Sequence, residues 1–294
     1  MRLWLLVLLF VIPLGGFAGD IPENFKRENL VAWCIVPFDA KKRGPEARAQ
    51  MVKDLGLKRI AYDWRKEHIP SFEQEILAYK KHGLEMFAFW GGHEEAFALF
   101  EKYQIRPQVW RTLRAPDGDT QEEKVQSAAA AMESLAKRTG EMGCELGLYN
   151  HGGWGGEPKN LVAVCEELRR RGHDHVGIVY NFHHAHEHFT PLNSSIGHYR
   201  GWEMDFEKIK PYLLCLNLNG MVSLPLDRGV EGKEPKKDKI LTIGRGAEEG
   251  RLIESVIRIG YDGPIGILDH RNETDSAETL RENIEGLTNL LAEE

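Results

Sequence analysis

Cysteine is scarce in this chain, with 4 residues among 294. Small exported domains that depend on disulfides carry a much denser set of cysteines, and no pair here has the CxxC spacing of common zinc or redox motifs. Three of the four lie in apolar, strand-like runs. The sequence therefore predicts buried free thiols, with disulfide pairing in an exported protein as the alternative.

Positive charge and nucleotide motifs are also lacking. The 38 lysines and arginines are outnumbered by 45 acidic residues, which gives a net charge of −7. A phosphate backbone requires a basic surface, so we expect no nucleic acid partner. A GxGxxG turn does not follow the first apolar run, a phosphate loop is missing, and Gly244-Arg245-Gly246 lacks the rest of that fingerprint. Their absence argues against a doubly wound dinucleotide-binding sheet, the alternative fold.

One long apolar run occurs, at residues 3–14, between Arg2 and the small-x-small triplet that ends at Ala18. This is the layout of a secretory signal peptide with cleavage after Ala18. The run is shorter than the roughly 20 residues that a spanning helix needs, so a membrane anchor is the less favoured alternative. We predict that residues 1–18 are a signal peptide, and that the protein is secreted or periplasmic with no membrane span after cleavage.

The remainder of the chain, residues 29–292, alternates short apolar runs with segments of helical spacing. Ser71, Thr120 with Glu123, and Gly83 mark helix starts and a helix end. The eight strand-like runs cover residues 30–38, 58–64, 84–90, 107–113, 144–150, 176–181, 213–219 and 264–269. Eight such units in a chain of this length match the α/β class and predict a single (β/α)8 TIM barrel.

Histidine is concentrated in one stretch, residues 176–189, which reads VGIVYNFHHAHEHF and holds four of the 12 histidines. The stretch is either a polar surface loop with structural histidines or a strand that presents chemical groups at its end. Barrel enzymes use the second arrangement, because the carboxyl ends of their strands meet at one mouth.

Polar and aromatic residues recur at the ends of most of the predicted strands, so we expect them to share that mouth. They are Asp63, Trp64, Arg65, Trp90, Arg111, Tyr149, Asn150, His151, Trp154, Asn181, His183, His184, His186, Asn217, Asn219, Asp269, His270 and Arg271. Flat tryptophan faces beside many hydrogen-bonding groups suit a polyhydroxylated ligand, which predicts a small carbohydrate substrate. The predicted substrate-binding residues are Trp64, Trp90, Asn150, Trp154, Asn181, Asn217, Asn219, Asp269, His270 and Arg271.

Histidine carries protons near neutral pH. His151, His183 and His184 are therefore the predicted catalytic residues, able to move a proton at a carbon beside a carbonyl group. A neighbouring amide such as Asn217 would hold the resulting oxyanion.

Four motifs in the chain resemble the xylose isomerase-like barrel superfamily, which contains sugar isomerases, epimerases and endonuclease IV-type relatives. They are LGLYNHGGW at residues 146–154, NFHH at 181–184, LTIGRGAEE at 241–249 and GYDGPIGI at 260–267. The resemblance spans residues 29–292 and implies a TIM barrel that acts on a sugar. It also places His184 where epimerases of the family use a histidine against the substrate.

The resemblance implies a divalent metal held by Glu, Asp, His and Glu, and this chain departs from that set. The corresponding positions hold Tyr149, Asn181, Asn217 and, for the last, Leu268 or, with a slip of one residue, Asp269. Hard divalent cations prefer carboxylate oxygens to amides, so the usual metal is not expected and no cofactor is assigned. If a metal binds, the predicted ligands are His151, His184 and Asp269.

Three functions remain open at this stage. The first is an exported isomerase or epimerase that abstracts a proton beside the carbonyl of a carbohydrate or keto-sugar. The second is a lyase or hydratase that begins with the same step. The third is a carbohydrate-binding protein without catalysis. DNA repair in the manner of endonuclease IV is disfavoured by the acidic charge and the missing metal ligands.

Overall fold

A computed structural model describes residues 21–185, 195–221, 240–271 and 273–292. The predicted signal peptide, His186 and His188 lie outside these residues. No helix among the described residues is long and apolar enough to span a membrane.

The strands form a closed barrel in which every neighbouring pair is parallel and the order follows the sequence. They are β1 (Leu30–Trp33), β2 (Arg59–Tyr62), β3 (Glu85–Trp90), β4 (Gln108–Thr112), β5 (Leu146–Tyr149), β6 (Val176–Asn181), β7 (Leu213–Leu218) and β8 (Ile265–Leu268). The predicted (β/α)8 barrel is confirmed. The first strand is shorter than predicted, because Cys34 takes a left-handed φ of 62° that ends it.

Helices follow the strands and pack around the barrel. Within the described residues they are α1 (Pro45–Asp54), α2 (Phe72–His82), α3 (Glu94–Tyr103), α4 (Gln121–Glu141), α5 (Pro158–Arg170), α6 (Phe182–Ala185), α7 (Ser195–Ile209), α8 (Glu249–Arg258) and α9 (Ser276–Ala292). Thr120 and Glu123 form the predicted capping box of α4, and Gly83 ends α2 with a φ of 68°. Ser71 precedes α2 as predicted, but its hydroxyl donates to His68 O instead of accepting from the helix.

The inside of the barrel is filled by one apolar cluster to which all eight strands contribute. Its members are Val31, Trp33, Cys34, Ala61, Phe87, Ala88, Trp110, Tyr149, Val179, Cys215 and Leu268. Successive strand residues point to opposite faces, so Ile265 and Ile267 belong instead to the layer between barrel and helices. Gly147 makes room for a large interior neighbour, since a Cβ there would lie 2.9 Å from Trp110 Cδ1. All four cysteines are buried and free, as predicted.

Candidate functional site

A small cavity of about 100 Å³ opens among the residues at the carboxyl ends of the strands. It lies at the barrel mouth, where barrel enzymes hold their active sites. Its walls are formed by Trp33, Cys34, Phe38, Asp63, Arg65, Trp90, Tyr149, His151, His183, His184, Leu268 and His270. All three predicted catalytic histidines line it, and so do two of the predicted substrate-binding residues, Trp90 and His270.

Three histidines stand side by side on one side of the cavity, and we call His151, His183 and His184 the histidine wall. The ring centroids of His151 and His184 are 4.3 Å apart, and those of His183 and His184 are 4.4 Å apart. His151 follows β5, whereas His183 and His184 belong to the short helix α6 directly after β6. The histidine-rich stretch is therefore a strand end that presents its rings to a cavity, and the surface-loop interpretation fails for these two residues.

Aromatic rings form the bottom of the cavity, and we call Trp33, Trp90 and Tyr149 the aromatic floor. The ring centroids of Trp90 and Tyr149 are 4.9 Å apart, and those of Trp33 and Trp90 are 5.7 Å apart. Tyr149 also meets His184 edge-on at 5.8 Å, which joins floor and wall. Trp33 was not predicted as a site residue, because the predicted first strand extended to Phe38 and Trp33 lay in its middle instead of at its end.

The predicted tryptophan contacts Trp64 and Trp154 lie outside this cavity. Trp64 donates from Nε1 to Trp90 O at 2.7 Å and packs on Phe72 and Phe89 in the layer behind the barrel. Trp154 donates to Gln121 Oε1 at 3.0 Å, at the start of α4. Neither side chain lines the cavity.

The side-chain amides of Asn150 and Asn181 are both occupied by hydrogen bonds within the protein. Asn150 accepts from Asn181 N at 2.7 Å and donates to Asn181 O at 3.1 Å. Asn181 donates from Nδ2 to the Tyr149 hydroxyl at 2.6 Å and accepts from His183 N at 3.0 Å. Neither amide is among the cavity-lining residues, so both position the histidine wall and the aromatic floor.

Asn217 and Asn219, at and just after the end of β7, are both fully buried. Asn217 Oδ1 occupies the space beside Gly266, where a Cβ would lie 1.9 Å from that oxygen. Asn219 follows β7 and donates to Gly220 O at 2.8 Å. The cavity walls do not include either side chain, so the predicted oxyanion contact of Asn217 has no geometric support in the part of the chain that is described.

The three predicted site residues that follow β8 are Asp269, His270 and Arg271, and they do not all face the cavity. Leu268 points into the barrel and lines the cavity, so Asp269 points outward by strand alternation, and it is fully buried. Burial raises the pKa of Asp269 to about 7, although Ser276 and Arg271 act in the opposite direction. Arg271 donates to Thr242 Oγ1 at 3.1 Å. His270 lines the cavity.

Two further polar residues of the cavity, Asp63 and Arg65, follow β2. Sequence reasoning placed both at the mouth but selected Trp64 between them. Strand alternation was the signal that separates the two faces. Burial raises the pKa of Asp63 to about 8, and the positive charge of Arg65 offsets part of this effect. Burial also lowers the pKa of His270 to about 4, with Arg65 and His151 adding to the shift.

The four positions that hold a metal in xylose isomerase-like enzymes do not fit one here. Tyr149 and Asn181 hydrogen bond to each other, Asn217 is an amide packed on Gly266, and Leu268 is apolar. Hard divalent cations prefer carboxylate oxygens and transition metals also take imidazole, and neither group stands at these positions. The alternative set of His151, His184 and Asp269 is divided because Asp269 points outward. Within the described ranges, no group of three or more His, Cys, Asp or Glu side chains is arranged to hold a metal.

The fold of this chain is similar to that of several solved structures, although their sequence identities to it are low. No protein-family model matches the sequence, and no curated protein matches it. The solved structure of the IolI protein with a bound zinc atom has a TM-score of 0.65 and 12% identity over 90% of this chain and 98% of that one. A xylose isomerase domain-containing protein from Salmonella typhimurium has a TM-score of 0.59 and 13% identity, and covers 94% and 98% of the two chains.

The 3-keto-D-glucoside 4-epimerase YcjR from E. coli, in its apo form, also matches, with a TM-score of 0.59 and 12% identity over 90% of this chain and all 100% of that one. At these identities the likeness establishes the fold. The chain has the xylose isomerase-like TIM barrel fold, as its motifs predicted.

Proposed function

We propose that this protein is an isomerase- or epimerase-like enzyme that abstracts a proton beside the carbonyl group of a small carbohydrate or keto-sugar. The observation that carries the proposal is the histidine wall, whose three rings stand against an aromatic floor in a cavity at the barrel mouth. Imidazole is a suitable general base near neutral pH. YcjR, a 3-keto-D-glucoside 4-epimerase with a similar fold, supports the substrate class.

The two parts of the cavity have distinct tasks in this proposal. Sugar rings carry apolar C–H faces that pack on aromatic side chains, so the aromatic floor would hold and orient the substrate. One imidazole of the histidine wall would then take the proton from the carbon beside the carbonyl. Asn181 fixes this geometry, because it binds the Tyr149 hydroxyl and His183 N at once. The proposal needs no metal in any step.

Solvent exchange tests the proposal directly. A panel of ketoses, aldoses and keto-sugars is incubated with the protein in deuterium oxide, and deuterium at carbon is measured by NMR. We expect exchange with at least one sugar, and a loss of about 10²–10⁴-fold in the His184→Gln and His151→Gln variants. His173→Gln is the matched control, because His173 contacts Glu133 at the other end of the barrel. Equal exchange in all four proteins would remove the histidine wall from the mechanism.

The same experiment separates the alternatives. A lyase or hydratase would give exchange together with an unsaturated or hydrated product in chromatography. Calorimetric binding of a sugar without exchange or product would identify a binding protein. These outcomes replace the proposed reaction while leaving the cavity as the ligand site.

We also propose that the protein is exported, on the basis of the signal-peptide layout of residues 1–18. The full chain is expressed in a bacterial host, and the fractions are analysed by N-terminal sequencing. We expect periplasmic protein that begins at Gly19. Cytoplasmic protein that begins at Met1 would contradict export, and membrane-bound protein with an intact N-terminus would support the anchor instead.

A further inference from the structure

Asp63 is a buried carboxyl group that the histidine-based mechanism leaves unused. It follows β2 directly, is 2% exposed and lines the cavity. Its Oδ1 accepts from Val36 N at 3.3 Å. Its Oδ2 is buried and makes no hydrogen bond to any part of the chain that the structure describes. A buried polar atom of this kind calls for an explanation, because such atoms are nearly always paired.

A left-handed turn at Cys34 places a backbone N–H against the carboxyl group of Asp63. Cys34 has a φ of 62°, in the left-handed region that non-glycine residues rarely enter. Such a conformation costs roughly 1–3 kcal/mol and is most often found at functional sites. Here it ends β1 just before Val36, whose N–H then binds Asp63 Oδ1. Cys34 lines the cavity beside Asp63, and burial, with a contribution from Asp63, raises the pKa of its thiol.

The topology places Asp63 across the mouth from the histidine wall. The barrel closes in the order β1 to β8, so β2 and β6 stand diametrically opposite each other. Asp63 follows β2, and His183 and His184 follow β6. A ligand in the cavity would therefore have imidazoles on one side and a carboxyl group on the other.

We propose that Asp63 is a catalytic acid of the cavity, which donates its proton to the substrate carbonyl oxygen while the histidine wall removes the carbon-bound proton. The inference rests on the proposed function. The C–H electron pair becomes the new C=C bond, the carbonyl π pair moves to oxygen, and that oxygen takes the proton of Asp63. An enediol, a carboxylate and an imidazolium result, and both protons return in the second half-reaction.

The protonation state of Asp63 supports this role. Burial raises its pKa to about 8, so the group carries its proton at neutral pH. The other titratable groups of the cavity are Cys34, Arg65, Tyr149, His270 and the histidine wall. Burial raises the pKa of Cys34 and of Tyr149 and lowers that of His270 to about 4. These three groups are therefore neutral near pH 8.

Asp63→Asn is the informative variant, since its amide oxygen still accepts from Val36 N but it has no acidic proton. With a sugar that wild type turns over, we expect kcat to fall by about 10²–10⁴-fold with little change in KM. We expect the rate of wild type to fall as the pH rises past 8, when Asp63 loses its proton. The residual rate of Asp63→Asn should not show this fall. Asp174→Asn, at an exposed position, is the control. An unchanged kcat and an unchanged pH profile would overturn the inference while leaving the histidine mechanism intact.

A second measurement does not depend on finding the substrate. Carboxyl carbons are followed by ¹³C NMR between pH 3 and 10 in wild type, Asp63→Asn and Asp269→Asn, and the missing signals assign the two buried groups. We expect the Asp63 signal to titrate near pH 8. Titration near pH 4 would overturn the inference, since Asp63 would then have no proton to donate at neutral pH.

Discussion

Replacing Asp63 by asparagine should stabilise the protein at neutral pH while it slows the reaction. The pKa of Asp63 is about 8 in the folded protein, against about 3.9 in an unfolded chain. The folded state thus binds this proton more tightly than the unfolded state. The stability that the proton contributes is fully present below about pH 4 and is lost as pH rises towards 8.

The magnitude follows from the size of this shift. Each pH unit between the two pKa values lowers the free energy of unfolding by about 1.4 kcal/mol. Between pH 5 and pH 8 the loss at Asp63 is then roughly 3.5–4 kcal/mol, slightly less than three full steps because Asp63 is already half ionised at pH 8. Asparagine does not titrate, and it retains the oxygen that accepts from Val36 N. We therefore expect Asp63→Asn to gain roughly 3.5–4 kcal/mol relative to wild type over this pH range.

Urea unfolding at pH 5, 6, 7 and 8 measures the difference between the two proteins. Asp269 also has a raised pKa, but it is present in both proteins and its effect cancels. Asp174→Asn, at an exposed position, is the control for the substitution itself. A stability difference that stays constant from pH 5 to pH 8 would show that Asp63 is ionised when folded, and the reasoning from burial would fail.

Three further changes probe the fold and the site. Arg48 Nη1 lies 2.6 and 2.8 Å from the two carboxylate oxygens of Glu75, and both residues are buried. Arg48→Met should therefore lower the free energy of unfolding by about 3–5 kcal/mol, because it leaves the Glu75 charge buried and unpaired. Adding Glu75→Leu should recover most of this loss. Gly266→Ala should cost about 1–3 kcal/mol by overpacking against Asn217, and Asn217→Ala in the same chain should relieve it, both measured by urea unfolding. Prolonged dialysis against EDTA should leave deuterium exchange and Tm unchanged, and loss of either with recovery on adding zinc would refute our assignment of the metal positions.

The alternation of apolar runs and helices was sufficient to predict the barrel. Thr120 with Glu123 begins a helix and Gly83 ends one, as the sequence predicted. The first strand was overextended, because nothing in the run at residues 30–38 signals the left-handed turn at Cys34. The hydrophobic pattern of a sequence indicates which residues are buried. A left-handed turn at a single residue such as Cys34 depends instead on the tertiary contacts that stabilise it.

The candidate site was predicted in part. Proximity to a strand end identified His151, His183, His184, Trp90 and His270, which all line the cavity. It could not separate the two faces of a strand end, and the outward residues Trp64 and Asp269 were therefore grouped with the inward ones. A shift of one residue reverses the direction of a side chain, and the register was known only after β8 was seen to end at Leu268.

The hydrogen bond between Tyr149 and Asn181 also governs how this barrel could be converted to a metalloenzyme. A carboxylate introduced at 181 alone would be fully buried, as Asn181 is, beside the Tyr149 hydroxyl. An uncompensated buried charge is strongly destabilising. A glutamate at Leu268 alone faces the same penalty, because that position is apolar and 2% exposed. No single substitution leads stepwise to a metal site, so a designer would have to change several ligand positions together.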